Sequence, residues 1–191
     1  TLILDVGANV ECKPHQLVQF AVMGSLYATG VLGVQSPRVG LMSVGEEDTK
    51  GGPKTRERNQ ILKAAGIRFV GNMEGGDVFS DNVDVIVCDG FTGNVILKVA
   101  EGFGEMVVSM LMEEARQSPM YGAGLLMAKG AFRNLRSKVD YSEYGGAPLL
   151  GVNGACLVGH GRSNAKAIRN AIRFANSYAA SGVIETIGDT I

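Results

Sequence analysis

The chain has 191 residues, of which 46% are hydrophobic, with 18 Lys and Arg against 19 Asp and Glu. This length favours one domain with a buried core, and the near-neutral charge argues against broad nucleic-acid binding, which needs an excess of cations. An aromatic content of 6% without tryptophan also argues against a base-stacking surface. Glycine is the unusual component, because 27 of 191 residues is about twice its average share of roughly 7%.

Apolar runs and helical patterns alternate along the chain. The apolar runs are continuous, which predicts strands covered on both faces, at 2–6, 38–44, 67–70, 83–88 and 155–158. Helical patterns lie between them at 15–32, 53–65, 93–117 and 163–180. This order is typical of βαβ units, and it predicts an α/β fold with a largely parallel sheet between helices, in three layers (α/β/α).

No linker rich in Pro or Ser divides the chain, so we expect residues 1–191 to form a single α/β domain. The chain begins at Thr1 directly in a strand-like run, and we expect it to be the C-terminal part of a longer enzyme. The helix at 93–117 is apolar nearly all round, which predicts burial in a subunit interface or within the core. We expect a homodimer through this helix, and a central helix inside one subunit is the alternative.

The cysteines do not indicate a metal or redox site. Cys12, Cys88 and Cys156 are far apart and lack the paired spacing of such motifs. Cys88 and Cys156 lie in apolar runs, which predicts buried thiols in a reducing compartment. No signal peptide and no apolar run of about 18 residues occurs, so a cytoplasmic protein is expected.

Glycine-rich loops follow four of the predicted strands, at 5–9, 45–52, 89–94 and 159–164. Ligands of parallel α/β sheets bind beyond the carboxyl ends of strands, where loops meet helix N-termini, so these loops together predict an anion site. Instead of binding an anion, the asparagines could cap helices or form turns, and the charged residues could simply face solvent. The candidate residues of the loops and the following helices are Asn9, Lys50, Asp89, Gly93, Asn94, Lys98, His160, Gly161 and Ser163.

Several common catalytic motifs are absent from the sequence. No G-x-G-x-x-G follows the first strand, and there is no Walker loop, no G-x-S-x-G elbow and no H-E-x-x-H. This argues against classical dinucleotide binding, phosphate-loop ATP hydrolysis and serine hydrolase chemistry.

The sequence resembles the bacterial phosphate acyltransferase family of phospholipid synthesis, whose members convert acyl-acyl-carrier-protein and phosphate to acyl phosphate. The resemblance covers essentially the whole chain, and the family's N-terminal Asp-Met-Gly-Gly-Asp string is absent. It is strongest in DGFTGNVILK and YGGAPLLG. The strings that carry it, in chain order, are LDVGAN, VGLMSVGEEDTKG, FVGNMEGGDVF, VDVIVCDGFTGNVILK, EYGGAPLLGVNG and GHGRSNAKAI.

The resemblance implies an isocitrate/isopropylmalate dehydrogenase-like fold, shared with phosphate acetyltransferases, and direct attack of phosphate on a thioester. Its partners would be acyl-acyl-carrier protein and inorganic phosphate, without a cofactor or a metal ion. His160, Asn94 and Lys98 would be catalytic. The remaining implied contacts to phosphate or substrate are Asn9, Lys50, Asp89, Gly93, Gly161 and Ser163.

Two other functions remain open at this stage. The chain could be a phosphate acetyl- or butyryltransferase that uses coenzyme A thioesters, because substrate choice is not readable from these loops. It could also be a non-catalytic fragment that only dimerises or docks a carrier protein. Acyl phosphate formation from acyl-carrier protein would separate the three.

Residues 118–138 form a basic and apolar stretch without acidic residues. The pattern predicts a projecting amphipathic helical hairpin that contacts an anionic membrane at its inner, cytoplasmic face, or an acidic carrier protein. Ordinary helix packing under a dimer partner is the alternative. The expected contact residues are Leu125, Leu126, Lys129, Arg133 and Arg136.

Overall fold

The computed structural model of the chain describes residues 1–47, 52–132 and 141–191. They belong to two units. The first consists of Thr1–Leu97, Leu150–Ala155 and Tyr178–Ile191, and the second of Lys98–Leu149 and Cys156–Ser177.

The described residues include six strands and seven regular helices. The strands are β1 (Leu2–Leu4), β2 (Val39–Met42), β3 (Phe69–Met73), β4 (Val85–Val87), β5 (Ala147–Pro148) and β6 (Leu157–Val158). The helices are α1 (Pro14–Gly30), α2 (Gly52–Lys63), α3 (Gly90–Gln117), α4 (Pro119–Met127), α5 (Tyr141–Tyr144), α6 (Ala165–Ala179) and α7 (Val183–Thr190). A 3₁₀ turn covers Gly75–Phe79, and residues 129–132 are also helical.

The first unit is built on a parallel sheet of four strands in the order β1-β4-β2-β3. Val85 of β4 pairs with Leu2 on one side and with Val39 on the other. All three residues of β4 are buried, because this strand lies between two neighbours and carries only Val and Ile. The α/β class and the parallel sheet predicted from the sequence are confirmed.

Helix α1 packs directly on the sheet. It begins at Pro14, and Lys13 N–H donates to Oε1 of Gln16 at 2.9 Å, which satisfies a backbone donor at its first turn. Gly24 lies against β4, where an added Cβ atom would be 2.6 Å from Cγ1 of Val85. The absence of a side chain at Gly24 therefore sets how closely α1 approaches the strand.

The fifth predicted strand was assigned to the wrong sheet. Leu157–Val158 pairs antiparallel with Ala147–Pro148 in a separate two-stranded sheet of the second unit. The reason is a local hairpin, which Leu149 N–H extends by donating to the Cys156 carbonyl at 2.9 Å. Cys156 is consequently exposed, so its predicted burial was also wrong, whereas Cys12 and Cys88 are buried.

Helix α3 is apolar but not buried along its length. Its side chains beyond the first turn are largely exposed among the described residues, with Phe103 at 61%. A homodimer through α3 stays a prediction. No helix among the described residues is both long and apolar enough to cross a membrane.

Gly24→Ala is expected to lower the free energy of unfolding by about 1–3 kcal/mol, because overpacking against Val85 outweighs the better helix propensity of alanine. Gly188→Ala in α7 is the matched control, since no described atom lies within 4 Å of the added methyl group. The control should be neutral or stabilising by up to about 1 kcal/mol. Urea denaturation measures both, and a stabilised Gly24→Ala protein would contradict this packing.

Candidate active site

The carboxylate of Asp5 organises the loop that follows β1. Its Oδ1 atom accepts hydrogen bonds from the N–H groups of Gly7 and Ala8, both at 2.9 Å. Its Oδ2 atom accepts from Asn9 N–H at 2.6 Å and from Asn9 Nδ2 at 3.0 Å. The side-chain amide of Asn9, predicted to contact phosphate, therefore closes this loop.

Asp5 is buried, yet it is held in its ionised form. Burial alone would raise the pKa of its carboxyl group, because a low-dielectric surrounding disfavours charge. The hydrogen bonds from Ala8, the Asn9 side chain, Gly7 and the Asn9 amide outweigh burial and hold the pKa of Asp5 below its ordinary value. The loop amides are thus satisfied by an internal anion and are already occupied when a ligand arrives.

Asp89 forms the N-cap of α3. Its Oδ1 atom accepts a hydrogen bond from Thr92 N–H at 2.8 Å, three residues into the helix, where an acidic cap is favourable. Sequence analysis placed Asp89 among the phosphate contacts. Because a carboxylate repels a phosphate dianion, the capping bond is the role that the geometry supports.

The first turn of α3 packs against the loop of residues 5–9, the Asp5 loop, and two glycines permit this close approach. Gly90 N–H donates to the Asn9 carbonyl at 2.7 Å, and a Cβ atom on Gly90 would lie 2.6 Å from the same oxygen. A Cβ atom on Gly93 would overlap the Asp5 carbonyl oxygen and lie 3.0 Å from Sγ of Cys88. Gly93, predicted as a phosphate contact, is therefore required for close backbone packing.

Asn94 presents a polar group beside this loop. A Cβ atom built on Gly7 would lie 3.9 Å from Cβ of Asn94, so the two residues are neighbours. Gly7 has φ +138°, a conformation open mainly to glycine. Asn94 is exposed, and its amide makes no hydrogen bond within the described ranges. Of the predicted residues in the first unit, Asn94 is best placed to meet a ligand.

Arg58 of α2 is a cation near the same loops that the sequence analysis missed. Its Nη2 atom donates to the Cys12 carbonyl at 3.3 Å, while its Nε atom is buried and has no hydrogen-bond partner among the described residues. Burial raises the pKa of the Cys12 thiol, the carboxylates of Asp5 and Asp89 raise it further, and Arg58 lowers it. The pKa of Cys12 therefore depends on the charges of Asp5, Asp89 and Arg58. The sequence carried no distinct signal for Arg58, which stands in a charged run directly before Asn59.

That asparagine belongs to a second missed feature, a buried pair of amides. Nδ2 of Asn59 in α2 donates to Oδ1 of Asn72 in β3 at 3.1 Å, and Nδ2 of Asn72 donates to the Glu47 carbonyl at 3.0 Å. Both asparagines are buried, so each hydrogen bond offsets a substantial desolvation cost. The pair fixes Glu47 at the start of the loop in which Lys50 was predicted. Lys50 itself lies outside the described residues.

A depression beside β3 is lined by none of the predicted site residues that the structure describes. It measures about 520 Å³ and is lined by residues including Glu46, Lys63, Asp77 and Asn82. Its mixed charges do not favour an anion.

In the second unit, His160 lies in the tight turn that follows β6. Ser163 N–H donates to the His160 carbonyl at 2.9 Å, and Arg162 N–H donates to Nδ1 of the imidazole at 3.1 Å. A neutral ring whose Nδ1 accepts a hydrogen bond carries its proton on Nε2. The turn therefore orients His160 as a donor through Nε2.

The other predicted residues of this turn have different roles. Asn164 caps α6, since its Oδ1 atom accepts from Ala167 N–H at 2.9 Å. The Oγ atom of Ser163 is buried and makes no hydrogen bond to any residue that the structure describes. Gly161 is exposed, and a Cβ atom there would meet no described atom within 4 Å, so packing does not require this glycine.

Lys98 is engaged in a surface ion pair. Its Nζ atom lies 2.8 Å from Oε2 of Glu101, and both side chains are more than a third exposed. Exposed pairs of this kind contribute about 0–1 kcal/mol, so a ligand could compete for the lysine.

The amphipathic stretch is described only in part. Leu126 and Lys129 are exposed and Leu125 is half-buried, while Arg133 and Arg136 lie outside the described residues. Within the described ranges, no cluster of His, Cys, Asp and Glu is arranged to hold a metal ion.

Asp5→Asn is expected to lower the free energy of unfolding at pH 7 by about 1–3 kcal/mol, because an amide keeps one acceptor and turns an NH₂ group towards the loop donors. The pKa of Asp5 is lower in the folded protein than in the unfolded chain, where it is about 3.9, so ionised Asp5 stabilises the folded state above about pH 3.9. This stabilisation is lost as the pH falls through the pKa of Asp5 in the folded state. Urea denaturation at pH 7 and pH 3 should therefore show a smaller pH dependence in the variant than in the wild type.

Asp81→Asn, which removes an exposed carboxylate, is the matched control for that experiment and should stay near wild-type stability at pH 7. Wild-type stability of Asp5→Asn at pH 7 would contradict the role given to Asp5.

Comparison with known proteins places these loops in a family. The family model described as "Fatty acid synthesis protein" matches residues 1–186. The phosphate acyltransferase of Geotalea daltonii is 55% identical over 183 residues, which are 96% of this chain and 53% of that protein. Those of Geotalea uraniireducens and Pelotomaculum thermopropionicum are 54% and 51% identical over 191 residues, which are 100% of this chain and 55% and 56% of those proteins.

The chain thus spans about half the length of the curated relatives that it matches. The family match and the identities extend through all four glycine-rich loops. The chain belongs to the fatty acid synthesis protein family, as its sequence resemblance to bacterial phosphate acyltransferases predicted.

Proposed function

We propose that the protein moves a fatty acyl group from an acyl-carrier-protein thioester to inorganic phosphate, giving an acyl phosphate for phospholipid synthesis. The observation that carries this proposal is identity of 51–55% to proteins named phosphate acyltransferase over at least 96% of the chain. At this identity the same loops and buried polar residues are expected to support the same chemistry.

The proposed reaction is a direct displacement. An oxygen of phosphate attacks the thioester carbonyl carbon, a tetrahedral oxyanion forms, and the carbon–sulfur bond breaks to release the carrier's thiol. The proton lost by hydrogen phosphate is gained by the thiolate, so no covalent enzyme intermediate is required. The state of the buried cysteines supports this route. Burial raises the pKa of Cys88 to about 12 and also raises that of Cys12, which keeps both as poor nucleophiles.

The first unit would hold phosphate and stabilise negative charge. Asn94 is the proposed donor to the developing oxyanion, because its amide is exposed and borne on the rigid start of α3. Arg58 supplies positive charge beside the Asp5 loop, and Lys50 is proposed as a further cation. Asn9, Asp89 and Gly93 act through the shape of the loop and not through their own charge.

His160 is proposed to donate a hydrogen bond from Nε2 to the leaving sulfur, whose negative charge is finally neutralised by the proton of hydrogen phosphate. Its support is the Arg162 hydrogen bond to Nδ1, which leaves the proton on Nε2. Lys98 would add positive charge for the leaving group, while Gly161 and Ser163 shape the turn around the substrate.

His160→Ala is expected to lower acyl phosphate formation at least tenfold, since the loss of one positioned donor to developing negative charge costs about 10²–10³ in rate. Acyl phosphate from palmitoyl-carrier protein and phosphate is trapped with hydroxylamine and measured. His15→Ala, at the exposed start of α1, is the matched control and should keep the wild-type rate.

Three outcomes would decide against parts of this proposal. A folded His160→Ala protein with an unchanged rate removes His160 from the mechanism. Activity only with acetyl- or butyryl-coenzyme A identifies the short-chain transferase instead. No activity of the wild type with any thioester identifies a non-catalytic chain.

We also propose that residues 1–191 form one α/β domain of the three-layer, isocitrate/isopropylmalate dehydrogenase-like class. The parallel order β1-β4-β2-β3 and the packing of α1 on β4 support this assignment. A homodimer through the exposed apolar side chains of α3 belongs to the same proposal, since a surface such as Phe103 at 61% exposure favours a partner.

We further propose that residues 118–138 contact an anionic membrane, so that a cytoplasmic enzyme works at its inner face. In α4 the apolar side chains of Leu126 and Met127 are 70% and 90% exposed, and Lys129 follows them. Apolar side chains would enter the interface while basic residues meet anionic lipid.

Leu126→Glu is expected to abolish flotation with phosphatidylglycerol-rich liposomes, because a charged residue replaces the most C-terminal exposed leucine of α4. Leu32→Glu, at another exposed leucine just beyond α1, is the control and should float like the wild type. If the wild type does not float with anionic liposomes, or if Leu126→Glu floats equally well, the membrane contact is wrong.

A further inference from the structure

A second basic surface lies outside the predicted hairpin. Between Glu143 and Glu185 the sequence contains no acidic residue and four cations, although the whole chain has a net charge of −1. Three of the four, Lys166, Arg169 and Arg173, belong to α6. The positive charge is therefore concentrated on one helix of the second unit.

Helix α6 contacts the short helix α5 of the second unit. Nζ of Lys166 forms an ion pair with Oε1 of Glu143 at 2.6 Å, and Nδ2 of Asn170 donates to the Ser142 carbonyl at 2.9 Å. Ala167 is fully buried. Ala167 and Asn170 mark the packed side of the helix, Lys166 lies at the edge of that side, three residues before Arg169, and the side opposite Ala167 is exposed.

The opposite side combines apolar and cationic groups. Ile168 and Ile172, one helical turn apart, are 49% and 66% exposed. Arg169 and Arg173, also one turn apart, are exposed and make no ion pair or hydrogen bond within the described ranges. Two like charges at this spacing repel each other slightly, and an anionic partner would relieve that repulsion. We call the surface of these four residues the α6 face.

We propose that the α6 face docks an acidic helix of the carrier protein that delivers the acyl thioester. The inference rests on the proposed function for the identity of the carrier, and on charge and exposure for the surface itself. Apolar anchors beside arginines suit an amphipathic helix with carboxylates along its edge. The turn that holds His160 precedes α6 by a few residues, in the same unit.

A second copy of the chain fits this face less well. A two-fold interface places the same patch of each subunit against itself, so arginines would oppose arginines. An acidic partner has no such penalty, and its encounter would be accelerated by charge steering that salt weakens.

The test compares Arg169→Glu and Arg173→Glu with Arg56→Glu, an exposed arginine of α2 that undergoes the same charge change. Binding of the carrier protein is measured by titration calorimetry, and acyl phosphate formation is measured with palmitoyl-carrier protein and with palmitoyl-coenzyme A. Each α6 variant should weaken carrier binding and raise KM for the carrier substrate about tenfold. Transfer from the coenzyme A thioester, which lacks the carrier, should change less than twofold, and Arg56→Glu should match the wild type.

The binding measurement keeps this inference separate from the proposed function. A wild type that binds carrier through α6 but forms no acyl phosphate supports the docking surface and contradicts the activity. Unchanged carrier binding in both α6 variants overturns the docking surface, and so does an equal loss in Arg56→Glu. Loss of liposome binding or of dimer formation in the α6 variants, with carrier binding unchanged, assigns the face to lipid or to a second copy and overturns the inference too.

Discussion

The organisation of the first unit depends on one buried carboxylate. Asp5 accepts four hydrogen bonds from a loop of three residues, and these bonds outweigh the burial that would otherwise raise its pKa. The loop formed in this way is compact enough for the first turn of α3 to rest on it. Gly90 and Gly93 make that approach sterically possible, because a side chain at either position would collide with the loop backbone. The placement of Asn94 follows from this contact.

This constraint separates residues that shape the site from residues that can act in it. Asn9, Asp89 and Gly93 are used within the protein, in a loop closure, a helix cap and a backbone contact. Asn94 has an exposed amide and His160 has its proton on Nε2, and these two groups are proposed to act on the substrate, while Arg58 is a cation of helix α2 beside Cys12. The proposed displacement needs such donors and charges, and it does not need a nucleophile from the buried cysteines.

Sequence patterns predicted what depends on local composition. Continuous apolar runs indicated β2 and β4, and the glycine-rich loops marked where strands meet helices. The patterns failed where a residue's partner is distant or where two pairings compete. Leu157–Val158 has the composition of a sheet strand but pairs with a nearby segment, which leaves Cys156 exposed. The hydrogen bonds of Asp5 are local, and an Asp before a glycine-containing turn is a signal for them that the sequence analysis did not use. Nothing local reveals that Asn59 and Asn72 meet across elements.

The carboxyl pKa of Asp5 tests this account most directly. Titration of the Asp5 side-chain carbon by ¹³C NMR should give a value clearly below the ordinary value of about 3.9. In Gly93→Ala, where the helix can no longer rest on the loop, the value should rise towards that of an ordinary carboxyl group. An Asp5 that titrates at or above about 3.9 in the wild type would contradict the claim that its hydrogen bonds outweigh burial and organise the site.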